Sequence, residues 1–545
     1  MKKVMGAALI MAMVVSLAAC GSEKTADETK PTEGSMPVQT EAKKQDPPSD
    51  NGRIDVVAGV NADFGGLDPF GTASNVKSTW TPGVYQTLFV LEEYGGEPVS
   101  VMADHYERVD DTTFDITIYD YIYDSQGNHI TAEDVVYSYE YAKDCGTVTK
   151  MYYVDSIEQT GDYSVQLKTS SNSLGVWEYA LTNVYIVSKT AHEASGDSFA
   201  TSSCGTGPYA VGNYIASSTL ELIKRDDYWQ KDESLSPAMY SANADRIVFN
   251  VLTESTQMGI AMENGSIDMI AGITGSEVDR FVEADGLTAK QGYHVSNQLN
   301  SLIDCMFLNM DEGSVFADNP QLRKAVLYGV DSEAMVTAAL EGKGESCKTF
   351  GSRIYSDYLD QWNNEDYYGY DFDKAQQQLT DSGFVQSKPF RILYQNSGQY
   401  KAEAELIQAY LQMMGLECEL LGYDTSLFND YKYNPAEWDI KLDPCKSPDI
   451  LPNLWGYCLN SDNYENGTTN FIHNDTLQEM TIAIATETGH TEEKLDEYHK
   501  YLLDNAWFRA LINPYNYIIT KDSITEIMVN AKGYPAVWAC TFAEK

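Results

Sequence analysis

Lysine and arginine are scarce in this sequence. Only 37 stand against 81 aspartates and glutamates, giving a formal net charge of −44. Nucleic-acid binding needs clustered Lys and Arg to replace counterions on phosphate, so an excess of acid this large excludes nucleic acid as a partner. Carboxylates spread over a solvated surface account for the excess, and they suit a soluble protein outside the cytoplasm. Catalytic signatures are missing as well. No GxxxxGK[ST], HExxH or GxSxG occurs. The seven histidines form no HxH pair and the nine cysteines no CxxC. Spacing therefore supports no metal site, and nothing in the chain calls for a cofactor. With so many Asp and Glu residues a carboxylate pair is available, so a secreted hydrolase stands as the enzyme-class alternative.

Long apolar runs are nearly absent. One follows Lys2 and Lys3, from Val4 to Ala19, and ends Leu17-Ala18-Ala19-Cys20. A membrane span takes about 20 apolar residues. This shorter run with a terminal Cys reads as a lipoprotein signal, cleaved before Cys20, with acyl chains on the new N-terminus. Two or more chains hold a protein stably to a bilayer. The following GSEKTADETKPTEGSMPVQTEAKKQDPPSD has almost nothing to bury and is expected to be a disordered tether. The expectation is a signal peptide over 1–19, lipidated Cys20 and tether over 20–51, and an extracytoplasmic body anchored to the cell membrane. That body is long enough for two or three domains. Its eight cysteines could pair outside the cell, but their number fixes no connectivity.

The body reads as mixed α/β. Phe114, Ile116 and Ile118 alternate with polar residues, as do Tyr163, Val165 and Leu167, and Ile247, Phe249 and Val251. Period-two patterns of this kind predict half-buried strands. In "NHITAEDVVYSYEYAKD", Thr131 is a helix cap with Asp134 at the capping-box position. Residues 390–394 form an apolar run. Residues 400–414 repeat at helical spacing up to Gly415, and Leu416, Cys418 and Leu420 alternate again. Strand, helix and strand at that spacing predict a βαβ unit and parallel strands. Gly205 and Gly207 in "GTGPYAVGNY" sit in neither phosphate-loop pattern; Pro208 follows, and the stretch reads as a turn leading into a strand.

Several stretches together resemble the extracytoplasmic solute-binding proteins of ABC importers, in their peptide, nickel and oligosaccharide group. They are "GGLDPFGTASNVKSTWTPGVYQTLF", "GNHITAEDVVYSYEYA", "CGTGPYAVGNYIASSTLELIKRDDYW", "NGSIDMI", "NPQLRKAVLYGVD" and "WDIKLD". They stand in family order, and the resemblance covers nearly everything from about residue 54 to 520. The resemblance implies a two-lobed periplasmic-binding-protein fold (class II, cluster C) with a strand-rich subdomain inserted in lobe one. Lobe one maps to 52–90, 204–295 and 510–545, the insert to 91–203 and lobe two to 296–509. Gly205 and Gly207 then fall where the chain leaves the insert, and are architectural. Hinge closure over a ligand in the cleft is the implied motion.

The same resemblance implies capture of an oligopeptide-like solute for an ABC permease and its ATPase subunits, by a monomer without enzyme activity. Oligosaccharide and nickel chelate are the alternative ligands within the family, and a surface adhesin or sensor on the same scaffold is a further class. Peptide-binding members grip the peptide amine with an aspartate after a G-W-x-x-D segment. Here the region reads "WDIKLDPCKSPDILPNLWGY"; the Gly-Trp pair is missing and Asp449 lies one residue off register. Asp449 is the first candidate for the amine and Asp443 the second. A buried amine needs such a partner because an unpaired buried charge costs several kcal/mol. Trp80, Tyr85, Tyr423 and Trp455 are the aromatic candidates for the cleft by family position, though each has a core role as its plainer reading. Some relatives bridge the regions holding Cys305 and Cys445, which implies a disulfide there.

Overall fold

Strands form where alternate apolar residues find a face to bury. The computed structural model describes residues 52–543 apart from 72–75, 93–95, 149, 202, 274, 300, 366, 397, 446–449, 462–470 and 532. The proposed lipidation site Cys20 and the tether lie outside the described residues, and so does Asp449.

Strand β1 (Asp55–Val60) opens the main sheet and is followed by helix α1 (Lys77–Val84). The next strands are β2 (Ala103–Arg108), β3 (Thr113–Ile118), β4 (Val154–Gln159) and β5 (Ser164–Thr169), an antiparallel sheet in the order β2-β3-β5-β4. Its inward side chains, Phe114, Ile116, Val165 and Leu167, are those the alternation marked. Helix α2 (Ala132–Cys145) packs on this sheet and starts as its sequence predicts: the Thr131 N–H donates to the Asp134 carboxylate at 2.8 Å. Helix α3 (Val176–Thr182) follows β5.

The other strands of the main sheet are β6 (Tyr209–Ile215), β7 (Thr219–Lys224), β8 (Arg246–Val251), β9 (Met269–Ala271), β10 (Tyr293–Leu299), β11 (Ile303–Leu308), β12 (Gly344–Ser346), β13 (Phe390–Gln395), β14 (Cys418–Tyr423), β15 (Ile440–Cys445) and β16 (Phe508–Lys521). With β1 they make one 12-stranded sheet in the order β14-β13-β15-β11-β16-β9-β1-β8-β7-β6, and β10 and β12 also pair with β16. Helix α4 (Gly398–Met413) joins β13 to β14, and those two strands are parallel, so the predicted βαβ unit is present.

Strand β16 holds the two halves of this sheet together. Its first residues pair with β11 and its last with β9 and β10. Two cores follow. One draws on Val56 to Met269 and on Ile518 to Cys540, and includes the antiparallel subdomain; the other runs from Ile303 to Ile512. The cuts expected at 295/296 and 509/510 fall inside β10 and β16, because both strands run on from one half into the next. Gly205 and Gly207 stand where the insert returns to lobe one. A Cβ on Gly205 would lie 2.0 Å from the Val84 carbonyl oxygen, and one on Gly207 would lie 2.5 Å from that of Gly83. Close backbone approach, rather than a left-handed φ, requires glycine at both. The buried Arg225 guanidinium ties the junction together, donating to the carbonyls of Gly205, Gly207 and Asp124.

Candidate functional site between the lobes

In open α/β sheets ligands bind at the carboxyl ends of parallel strands. Strands β1 and β9 of lobe one end at Val60 and Ala271. These residues, with Asn61, Gly272 and Asn516, line a cavity of about 100 Å³. Strands β13, β14 and β15 of lobe two are parallel and end at Gln395, Tyr423 and Cys445; antiparallel β11 begins at the same edge with Ile303 and Asp304. A cavity of about 420 Å³ lies where the chain crosses between lobes. Leu299 at the end of β10 lines it, with Arg353 and Ile354 from lobe two, Glu92, and Val529 to Ala531. Arg353 is fixed by Glu345 at 2.5 Å, and Glu345 also accepts from the Tyr515 hydroxyl at 2.9 Å. Burial and that hydrogen bond push the Tyr515 hydroxyl up to about 12. Glu92 accepts from the Ala238 N–H at 2.7 Å.

The edge of lobe two holds buried charge. On one face of β15, Lys441 Nζ lies 3.3 Å and Lys432 Nζ 3.6 Å from Asp443 Oδ2. Lys441 is wholly buried and also lies over the rings of Trp438 and Phe307. Burial pulls its ammonium down against the pull of Asp443, whereas in Lys432 burial is outweighed by Asp443 together with Tyr433 and Cys445. On the opposite face, Asp304 of β11 meets Glu403 of α4, and both are buried. The Gln399 amide donates to Asp304. Burial pushes both carboxyls up, Asp304 to about 7 despite the hydrogen bonds from Glu403 and Gln399, and Glu403 further because Asp304 stands beside it. Like charges this close and dry cannot both ionise, so the pair retains a proton.

The sequence-predicted cleft residues other than Asp449 have these places. Asp443 is already faced by two lysines, an arrangement that repels an incoming ammonium. Trp80 and Tyr85 are fully buried in the lobe-one core, and the Tyr85 hydroxyl donates to the Leu67 carbonyl at 2.9 Å. Trp455, on helix α5 (Leu451–Leu459), is fully buried in the lobe-two core and donates to the Phe350 carbonyl at 2.7 Å. These three rings fill cores and do not line the cleft, because each is enclosed by neighbours from several elements. Tyr423 is half-buried at the end of β14, against Tyr431 at 4.9 Å. The implied Cys305–Cys445 disulfide is corrected: both are free thiols. They are neighbours all the same, with Cys445 hydrogen-bonded to Cys305 and Cys458; burial raises its thiol, but those bonds draw it down overall. Among the described residues no cluster of three or more His, Cys, Asp or Glu is arranged to hold a metal ion.

Sequence reasoning missed Arg353, Glu92 and the Asn530–Ala531 segment, which carry no motif. It also missed Lys441, which alternates with Ile440 and Leu442 and so reads as an outward residue.

The two halves joined by crossing strands, with a cleft between, define a two-lobed ligand-binding protein of the periplasmic-binding-protein fold. The chain belongs to the bacterial extracellular solute-binding proteins, family 5, whose model (family 5 Middle) matches residues 97–456, well over half of its length. It is similar to heme-binding protein A of Haemophilus influenzae, 23% identical over 43% of this chain and 40% of that protein. It is similar also to the oligopeptide-binding protein AppA of Bacillus subtilis, 21% identical over 57% of this chain and 58% of that one. The matches thus span about half the length of those relatives. Among solved structures, DppA of Helicobacter pylori in complex with the peptide STSA superposes with a TM-score of 0.70 at 18% identity, covering 90% of this chain and 99% of that one. Membership of family 5 makes the chain a solute-binding protein. No helix among the described residues is long and apolar enough to cross a membrane.

Proposed function

We propose that this protein, anchored by lipid on Cys20, captures an oligopeptide-like solute between its lobes and delivers it to an ABC permease with its ATPase subunits, acting as a monomer. The observation that carries the reading is the cavity of about 420 Å³ at the strand crossings of a family 5 chain. A ligand held there touches both lobes, so it favours the closed state by its differential contacts. Peptide is the favoured class because oligopeptide- and peptide-binding proteins are among both the sequence relatives and the fold neighbours. The peptide amine pairs with Asp449, four residues after β15 in the sequence. Asp443 is disfavoured for that role because Lys432 and Lys441 already meet its charge.

Titration calorimetry with one peptide in free and N-acetylated forms tests this. Acetylation, or Asp449→Ala, is expected to weaken binding by roughly 3–5 kcal/mol, the cost of breaking a buried pair. That is more than a hundredfold in Kd at about 1.4 kcal/mol per decade. Equal affinity for both forms removes Asp449 from the site. Heat with a cello- or xylo-oligosaccharide and none with any peptide makes the protein a sugar binder.

A further inference from the structure

The insert belongs mechanically to lobe one. Its antiparallel sheet shares the lobe-one core, and Arg225 ties its exit to the turn at Gly205 and Gly207. Lobe two has a core of its own and is joined to lobe one through the crossing strands. The insert and lobe two nevertheless touch directly. The Arg108 guanidinium, at the end of β2, pairs with the Glu487 carboxylate. The Leu174 N–H, between β5 and α3, donates to the Ala485 carbonyl at 2.8 Å. Ala485 and Glu487 stand in the turn between helices α6 (Asp475–Ile484) and α7 (Glu492–Asn505) of lobe two. None of these four residues lines the two cavities described above.

Both ends of this bridge are held in place before they meet. Arg108 Nε donates to the Asp110 carbonyl at 3.3 Å and Nη2 to the Asp111 carbonyl at 3.2 Å, and the guanidinium lies 5.9 Å from the centre of the Phe114 ring. The Asp111 carboxylate is farther from it, at 4.0 Å. On the other side the Thr486 hydroxyl donates to the Ala483 carbonyl at 2.8 Å, and the Gly489 N–H to the Thr486 carbonyl at 3.0 Å. The His490 ring nitrogen lies 3.0 Å from the Asp357 carboxylate, which pins the turn to the body of lobe two. Little conformational freedom is left to lose when the two ends join. The pair itself is open to water, with Arg108 a third and Glu487 about half exposed, so it is weak and sensitive to salt.

We propose that this bridge is a latch on the closed state. Lobe two cannot swing about the crossing strands without breaking it, so Arg108 and Glu487 bias closure, and through closure the hold on the solute, without touching the solute. A contact made in one state and lost in the other shifts their balance by its own strength. A strong pair would oppose release; a weak, screened one favours closure and still lets the cleft open. The inference rests on the reading of the cleft as a binding site that closes over its solute, and holds whatever the solute is.

Hydrogen exchange read at the segment around Leu174 tests it. The whole protein is measured as purified from its own cells, with its bound solute verified by native mass spectrometry, and again after unfolding, dialysis and refolding have removed that solute. The loaded protein is expected to exchange there about tenfold more slowly than the stripped one. Glu487→Gln, and Glu487→Lys at least as much, are expected to speed that exchange in the loaded protein by up to about fivefold, which corresponds to about 1 kcal/mol for an exposed pair. Amides of β3 and β5 keep their rates, which shows that the insert is still folded. Salt at about 1 M is expected to act on the unaltered protein in the same way and to add little to Glu487→Gln. Equal rates with and without solute make the bridge a fixed contact and overturn the latch, leaving the binding reading intact. Substitutions and salt that leave the rate unchanged overturn it too. A protein that carries no solute and takes up neither peptide nor sugar overturns the binding reading and the latch together.

Discussion

The two sides of the cleft are built from different materials. The lobe-one side is lined by small and amide side chains, Asn61, Gly272, Asn516 and Ala531. The Lys521–Asp268 pair of lobe one, just before β9, leaves about a quarter of each side chain exposed. The lobe-two side stores charge out of water, in Lys441 with Asp443 and in Asp304 with Glu403. One side thus supplies shape, and the other supplies charge in a medium where charge is strong and sensitive to its surroundings. A binding protein built this way can vary its loops on the first side without touching the electrostatics of the second.

The contrast can be broken most strongly at Asp443. Asp443→Asn leaves Lys432 and Lys441 facing each other in a dry site. It is expected to cost about 3–5 kcal/mol of stability in denaturant unfolding, the range for removing one partner of a buried pair. Asp268→Asn in lobe one is expected to cost less, on the order of 1 kcal/mol, since about a quarter of each partner stays in water and the pair is partly screened. Similar losses for both would erase the difference between the two sides.

The second test is pH. Asp304 and Glu403 titrate above the ordinary carboxylate range near 4. Gln399 and Tyr400 of α4 face Asp304, as do Cys445 of β15 and Cys347. The folded state binds more protons than the unfolded chain between those values, so this pair's contribution is complete below about pH 4 and is lost as pH rises through about 7. Unfolding free energy is expected to fall between pH 5 and 8 by something on the order of 3 kcal/mol. Asp304→Asn, which cannot ionise, should flatten most of that slope. An unchanged slope in the variant would mean that the pair does not control it.

Much of the fold was legible in the sequence because its signals are local. The Thr131–Asp134 capping box, the alternation at 114–118 and the strand–helix–strand at 390–421 each involve residues within one or two turns or strands. Strand β16 was not legible as one element. Pro514 and its two flanking residues interrupt "FRALINPYNYIITK" and invite a boundary, yet Pro514 stands opposite Gly344 of the short β12, where the sheet passes from one lobe to the other. The site was harder still. Lys441 alternates with Ile440 and Leu442 as an outward residue should, and is buried only because Trp438, Phe307 and Asp443 close over it. Asp304 meets Glu403 across about a hundred residues of chain, a pairing that no spacing announces. Trp80, Tyr85 and Trp455 teach the converse, since family position brought them forward as cleft candidates while their size and apolarity sent them to the cores.

The central claim is that the cleft holds a peptide. Native mass spectrometry of the protein purified from its own cells tests it most directly. The account predicts a bound mass that is released unchanged on unfolding and fragments as a peptide. A released sugar, haem or metal chelate in place of a peptide would contradict it.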